Sequence, residues 1–455
     1  MFHSKSLVHS LLRTCLPLLS LSLLLSACAS AGSVPETPSG AAAAGESAGP
    51  PSSAEPVKLL FYVNGPTLTN TEFRTLIAEP VKKRYPHITL ERIEPPSGVT
   101  IEEVFTSGPI PDLSLIINPH PLLRLKAVED LRPWIQKHQF DESRLKPVLY
   151  DHIKEFGKNG EIVAIPFNAN QAILYYNKDI FDKFGVEYPP ADKQLSLEEL
   201  LELGKQLTRS DNGMDYIGYD PGGPLDLSRN VALPVIDSDS GAPLLSRNPE
   251  WTRLFQFAKT AYEVPGYIGP NNQYVYGRDA FMKDRKVALR VANLANMVGP
   301  LEELRQQGTE FNWDLAPIPN FSNKLGKARE AQVHSFVISN KSEHKEEAFL
   351  AVKEILTDEV QGLLSRNARV PAVINPELEE EFGRDIPVLK DKNVRSVFIG
   401  EQQKTHRIHE YEDQVSKWVT EATKDVAVGG IDINTALRKA DENIARDVER
   451  LKKNE

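Results

Sequence analysis

Cysteine is nearly absent from this 455-residue chain: there are two, Cys15 and Cys28, both within the first 28 residues. A disulfide framework, a CxxC redox pair and a thiolate zinc site are thereby excluded. A dense basic tract is also missing. With 53 Lys and Arg against 63 Asp and Glu, the formal charge of −10 argues against nucleic acid as a partner. No apolar run is long enough for a bundle of membrane spans, and the balance of 40% apolar to 25% charged residues is that of a globular protein. No fixed-period repeat appears, which excludes a solenoid or propeller. The nucleophile-elbow, zinc-protease, P-loop and dinucleotide-binding signatures are absent too, so no local motif nominates an enzyme, a cofactor or a metal.

The first segment has a definite layout. Residues 1–27 carry Lys5 and Arg13 but no acid, and the apolar stretch Leu16–Leu25 runs into Ser26 and Ala27. Ten apolar-rich residues are too few for a span, which needs roughly 20, so this reads as a secretory signal. Its exit, Leu25-Ser26-Ala27-Cys28, resembles the bacterial lipobox, in which the cysteine is lipidated and becomes the first residue. Residues 28–56 then form a tether, almost all Ala, Gly, Ser and Pro, too poor in apolar surface to offset the entropy of ordering. Two acyl chains anchor stably where one is marginal. The expected arrangement is a globule leashed through Cys28 to the outer face of a membrane.

The globule begins near Val57. The apolar run Val57–Val63, stopped by Gly65-Pro66, predicts a buried strand; a helical pattern over 70–85 and strands over 87–93 and 112–117 follow. Strand, helix, strand with that crossover length predicts parallel α/β layering. Amphipathic helices are expected over Leu195–Thr208, Ser342–Leu356 and Asp432–Leu451, the last capped by Asp432.

Further along, the residues become recognisable. Gly160-Glu-Ile-Val-Ala-Ile-Pro166, followed after a gap by Tyr176-Asn177-Lys178-Asp179 and Phe184-Gly185, resembles the "G-x-x-x-A-x-P … Y-N-K-D" stretch of the maltose-binding-like extracellular solute-binding proteins. Phe281–Leu289, Phe311–Pro319, Ser335–Ser339 and Arg369–Ala372 echo other segments of that family in the same order, so the resemblance covers essentially 57–455. The chain departs from the pattern at Gln194–Glu199 and at Asp284, and it lacks an aromatic in Arg290–Ala295 where the family can stack one on a sugar.

The resemblance implies a periplasmic-binding-protein-like α/β fold: two discontinuous lobes joined by a three-crossing hinge that closes on a ligand. Lobe one would be 57–166 with 333–371, and lobe two 167–332 with 372–455. It implies a solute-binding protein, not an enzyme, that takes a small polar solute of the carbohydrate class to the permease of an ABC importer, with no cofactor. A secreted glycan-active enzyme and a two-lobed sensor or adhesin are the alternatives.

Within that frame the candidate ligand contacts are Asn64 after the first strand, Asn118 after the third, and Asn170 after the first crossing, with Asp226, Tyr276 and Asn293 beside them. Amides both donate and accept, which suits hydroxyl-rich ligands. Turn chemistry fits Asn64 equally, and for Asp226, Tyr276 and Asn293 surface or structural roles are favoured over ligand contact. Trp134, Trp313 and Trp418 are expected in packing rather than on a ligand. Arg290 and Arg369 could meet an anion, or Arg369 a carboxylate at the hinge. His406, His409 and their acidic neighbours read as a solvated stretch, and Asp237–Gly241 as a turn.

Overall fold

The computed structural model describes residues 55–453. The expected signal segment, the lipidated Cys28 and all but the last two residues of the tether lie outside the described residues.

Among the described residues thirteen strands are found: β1 (Val57–Asn64), β2 (Ile88–Arg92), β3 (Leu113–Ile116), β4 (Ile165–Asn170), β5 (Ala172–Asn177), β6 (Arg209–Asp211) and β7 (Met214–Asp220). After them come β8 (Val287–Asn293), β9 (Trp313–Ala316), β10 (Lys327–Glu330), β11 (Gln332–Ile338), β12 (Val370–Pro371) and β13 (Glu401–Gln403). They form two main sheets. One has the order β12-β4-β11-β3-β1-β2, the other β6-β7-β8-β5-β9, and β10 pairs with β13. As the strand–helix–strand spacing predicts, β1 lies parallel to both β2 and β3. Beyond β3 the first sheet turns antiparallel through β11, β4 and β12.

The helices begin where local chemistry starts them. Thr69 with Glu72, Thr100 with Glu103 and Ser196 with Glu199 form reciprocal capping boxes, each satisfying otherwise unpaired amides of a first turn. The expected helix over 70–85 is present with a wide π turn at Arg74–Ala78. The helices Leu197–Leu207 and Lys345–Ile355 sit where apolar periodicity places them. The helix Ile433–Lys453 is preceded by Asp432, whose side chain accepts from the Thr435 amide at 3.0 Å. Leu197–Leu207 lies so close on β7 that a Cβ at Gly218 would come 1.8 Å from the Gly204 carbonyl, which leaves only glycine possible there.

The first sheet buries Leu59, Phe61, Leu113, Leu115, Phe167 and Phe336, and Phe61 stacks on Phe73 of the first helix at 5.0 Å. Trp313 is buried in β9. Trp134 and Trp418 pack against the core with their indole N–H groups on Glu129 and Asp447, so all three tryptophans serve packing. Among the described residues no helix is long and apolar enough to cross a membrane.

Candidate functional site

In open α/β sheets the carboxyl ends of parallel strands face the ligand crevice. Here β1 and β3 are adjacent and parallel, and they end side by side, Asn64 opposite Ile116. The chain leaving each end reaches a distant part of the sequence. Thr67, just after β1, donates to Asn296 Oδ1 at 3.3 Å; Asn296 lies in the helix Leu294–Gln306 that follows β8 of the second sheet. Asn118, just after β3, donates through Nδ2 to Asp413 and accepts the His120 amide at 3.0 Å. Asn64 is half-buried and makes no side-chain hydrogen bond among the described residues.

Two very short links leave the first sheet, one to the second sheet and one to the β10–β13 pair. Gln171 alone separates β4 of the first sheet from β5 of the second, and Ala331 alone separates β10 from β11. Asn170 and Asn293 come together there. Both donate to Gln332 Oε1, at 2.9 and 3.2 Å, while Asn170 Oδ1 accepts the Ala295 amide at 3.1 Å. Gln171 donates to the Val397 carbonyl at 2.7 Å and accepts the Leu294 amide on its own carbonyl. This is a knot of amides in which both side-chain ends of Asn170 are paired and Asn170 and Asn293 share one acceptor.

Asp226 and Tyr276 stand apart from that knot. Asp226 holds Arg329 through two hydrogen bonds, 2.8 and 3.3 Å. Burial works to raise its carboxyl pKa, but Arg329 outweighs it and keeps the group below the ordinary carboxylate range. Tyr276 is buried edge-on against Tyr267 at 5.5 Å, its hydroxyl donating to the Tyr267 carbonyl. Desolvation, with Asp220 nearby, pushes that phenol up to about 12. Neither arginine singled out from the sequence is free. Arg290 pairs with Asp220, and Arg369, 2% exposed, is held by Glu72 at 2.7 and 2.9 Å. Asp237 closes a turn on Ser240, as its spacing suggests.

The segment 404–413 corrects one expectation. His406 is not solvated: it is clamped between two buried carboxylates, Nδ1 to Glu330 at 2.9 Å and Nε2 to Glu412 at 2.8 Å. Burial opposes its charge, but the two carboxylates prevail and lift its pKa to about 10. Glu412 also accepts the Val235 amide, and Lys404 pairs with Glu155. Facing this segment are His120 of the helix His120–Arg124 and His152 of the helix Pro147–Lys154, each edge-on to Phe156 at 4.9 and 5.0 Å. Arg124 closes the seam by donating to the Glu410 carbonyl at 2.9 Å. Burial drives His120 down to about 3, assisted by Arg124, and His152 down to about 4. Both imidazoles are therefore neutral.

Sequence reasoning missed Gln332, Glu330 and His152 as site members and set Glu412 aside with a solvated stretch. Each is an ordinary polar residue in an unremarkable stretch; only the pairing of segments up to 254 residues apart (His152 to His406) gives them a role. Among the described residues no group of three or more His, Asp or Glu is placed to hold a metal ion.

Comparison with known proteins follows the geometry. The family described as bacterial extracellular solute-binding protein matches residues 66–362. The sn-glycerol-3-phosphate-binding periplasmic protein UgpB of Escherichia coli is 43% identical over 110 residues, 24% of this chain and 23% of the relative. The match thus spans about a quarter of the curated relative's length. Among solved structures, an ABC substrate-binding protein from Listeria monocytogenes in complex with cycloalternan superposes with a TM-score of 0.67 at 18% identity, covering 87% of this chain and 100% of that one. The sugar-binding protein MalE from Xanthomonas citri gives 0.64 at 17%, over 88% and 100%. UgpB from Mycobacterium tuberculosis in complex with glycerophosphocholine also gives 0.64 at 17%, over 88% and 100%. At these identities the likeness establishes the fold, which is the two-lobed α/β architecture of the periplasmic binding proteins.

Proposed function

This chain belongs to the family of bacterial extracellular solute-binding proteins, and we propose that it captures a small polar solute of the oligosaccharide class and passes it to the permease of an ABC importer. The lobes of this reading are 57–166 with 333–371 and 167–332 with 372–455, their crossings lying at β4, around Ala331 and around Pro371. The observation that carries it is the pair of contacts made beyond the carboxyl ends of β1 and β3, Thr67 with Asn296 and Asn118 with Asp413. A crevice bridged from both strand ends can shut on a guest and reopen without making or breaking covalent bonds. Closure is driven by the difference in affinity for the shut form. Asn64 and Asn118 then face the guest, Asn170 and Asn293 set the floor at the crossing, and Asp226 and Tyr276 shape the wall.

The names of the UgpB relatives favour a second ligand class, glycerol phosphate esters. Titration calorimetry with mannotriose, cycloalternan, tagatose, glycerol 3-phosphate and glycerophosphocholine separates the two, with X-ray scattering on the same samples. The expected result is saturable binding of a neutral sugar with a smaller radius of gyration. Silence from all five, with unchanged scattering, overturns capture. The anchor is proposed from the sequence: Cys28 carries lipid on the outward face of the cell membrane, and C28S is expected to release the protein to the soluble fraction and abolish palmitate labelling.

A further inference from the structure

The seam facing the segment 404–413 carries an unusual set of buried polar atoms without partners: Nδ1 of His120, Nδ1 of His152, and one carboxylate oxygen each of Glu155 and Glu412. His152 is 3% and Glu412 5% exposed; His120 and Glu155 are half-buried, but the four atoms named are themselves closed off from outside water. Buried polar atoms are nearly always paired, and leaving one unpaired costs about 1–3 kcal/mol. Other such atoms occur elsewhere, among them Asn168 Nδ2 and His334 Nε2; here four lie on segments that face one another.

We infer that this seam is a binding subsite of the crevice for hydroxyl groups of a neutral polyol, and that it turns anionic solutes away; the inference rests on the capture reading above. The chemistry of the four atoms points there. A neutral imidazole nitrogen accepts or donates according to its tautomer, and a carboxylate oxygen only accepts. A hydroxyl meets both demands at once. A phosphate would find at most two N–H groups, set against unpaired carboxylate oxygens in a desolvated space.

The surrounding charges reinforce this. His120 faces Arg124 on its own helix, His409 and His152 across from it, and Lys158. His152 faces Glu155 and, from the other elements, Glu330, His406 and Lys404. Lys404 is already tied to Glu155 and Arg124 to Glu102, while His406 is consumed by its two carboxylates. Of the cations named, only Lys158 has no ion pair among the described residues, so little positive charge is left over for an anionic ligand.

The location fits a subsite of the crevice. The helix bearing His120 starts directly beyond the carboxyl end of β3, and Asn118 two residues earlier makes the bridge to Asp413. Opening the crevice separates the histidines from 404–413 and returns them to water. Both imidazoles have lower pKa values in the shut form than the ordinary 6.5, so shutting is fully supported above pH 6.5. That support is lost as the pH falls, by about tenfold per unit for each histidine until the shut-form value is reached.

The test is calorimetry on the full chain at about pH 7.5 and about pH 5.5, with mannotriose as the neutral probe and glycerol 3-phosphate as the anion. Two variants, H152F and H120F, keep ring volume but remove the nitrogens; H152Q restores a polar atom. The expected result is mannotriose binding that weakens about tenfold or more in H152F and at the lower pH, partial recovery in H152Q, and no glycerol 3-phosphate binding. Thermal midpoints at or above the parent's show that the variants fold. Mannotriose affinity unchanged in both phenylalanine variants overturns the inference. So does glycerol 3-phosphate binding as tightly as mannotriose, and that outcome leaves capture itself standing. Silence from both probes and from the other solutes overturns capture and this subsite together.

Discussion

Two polar clusters whose members Glu330 and Gln332 lie two residues apart in sequence behave oppositely. The knot around Gln332 joins Asn170 and Asn293 to one acceptor and pairs the remaining Asn170 oxygen with a backbone amide. The seam around His406 satisfies one histidine doubly and leaves atoms of His120, His152, Glu155 and Glu412 unpaired. The knot has no titratable member, whereas the seam has almost nothing else. A satisfied neutral cluster makes a rigid joint between sheets. An incompletely satisfied, charged cluster is poised to accept something from outside.

The largest effect should come from the clamp. Replacing His406 by leucine leaves Glu330 and Glu412 buried and unpaired, and should cost about 3–5 kcal/mol in denaturant unfolding. If H406L unfolds at the parent's midpoint, the clamp is not a structural element. Next comes Q332L, which strips the shared acceptor from two amides and should cost about 1–3 kcal/mol. Because Asn170, Asn293 and Gln332 do not ionise, that loss should be the same at pH 6 and pH 9. A pH-dependent loss would erase the contrast between the clusters.

The clamp should also impose its own pH dependence. The folded pKa of His406, about 10, lies above the ordinary 6.5, so its stabilisation is complete below pH 6.5 and lost as pH rises through 10. Glu330, held low chiefly by His406 against the opposing effect of burial, adds stability above its ordinary pKa of 4.5 that fades on further acidification. Urea midpoints should therefore fall between pH 7 and 10 in the parent and stay flatter in H406L. The smallest stability effect is expected at the open end of the seam. H152F removes a polar atom that had no partner and should leave the midpoint unchanged or raise it slightly. A large loss there would mean that His152 is a structural residue after all.

How much of this was legible beforehand depends on the range of the interaction involved. The strand over 57–63, the helix over 197–207 and the Asp432 cap follow from alternation, amphipathic spacing and side chains that bond their own backbone three residues away. The parallel start of the first sheet follows from crossover length, and the family from an ordered set of short motifs. Asn170 was visible as a polar residue after a crossing and Asn293 as a weaker candidate, but that they share one acceptor was not, because Gln332 lies 162 and 39 residues away. His406 was misread for the same reason. Its neighbours in sequence are charged and suggest solvent, while the two groups that bury it include Glu330, 76 residues earlier.

The amino-acid order alone determined the class of the elements, their order, the parallel opening of the first sheet and the likeness to solute-binding proteins, since each rests on local periodicity or a contiguous motif. Which asparagines became joints, which arginines were already neutralised, and which histidines stayed neutral or charged was decided by the tertiary structure. Burial and partner identity set those states, and both are properties of segments brought together from far apart.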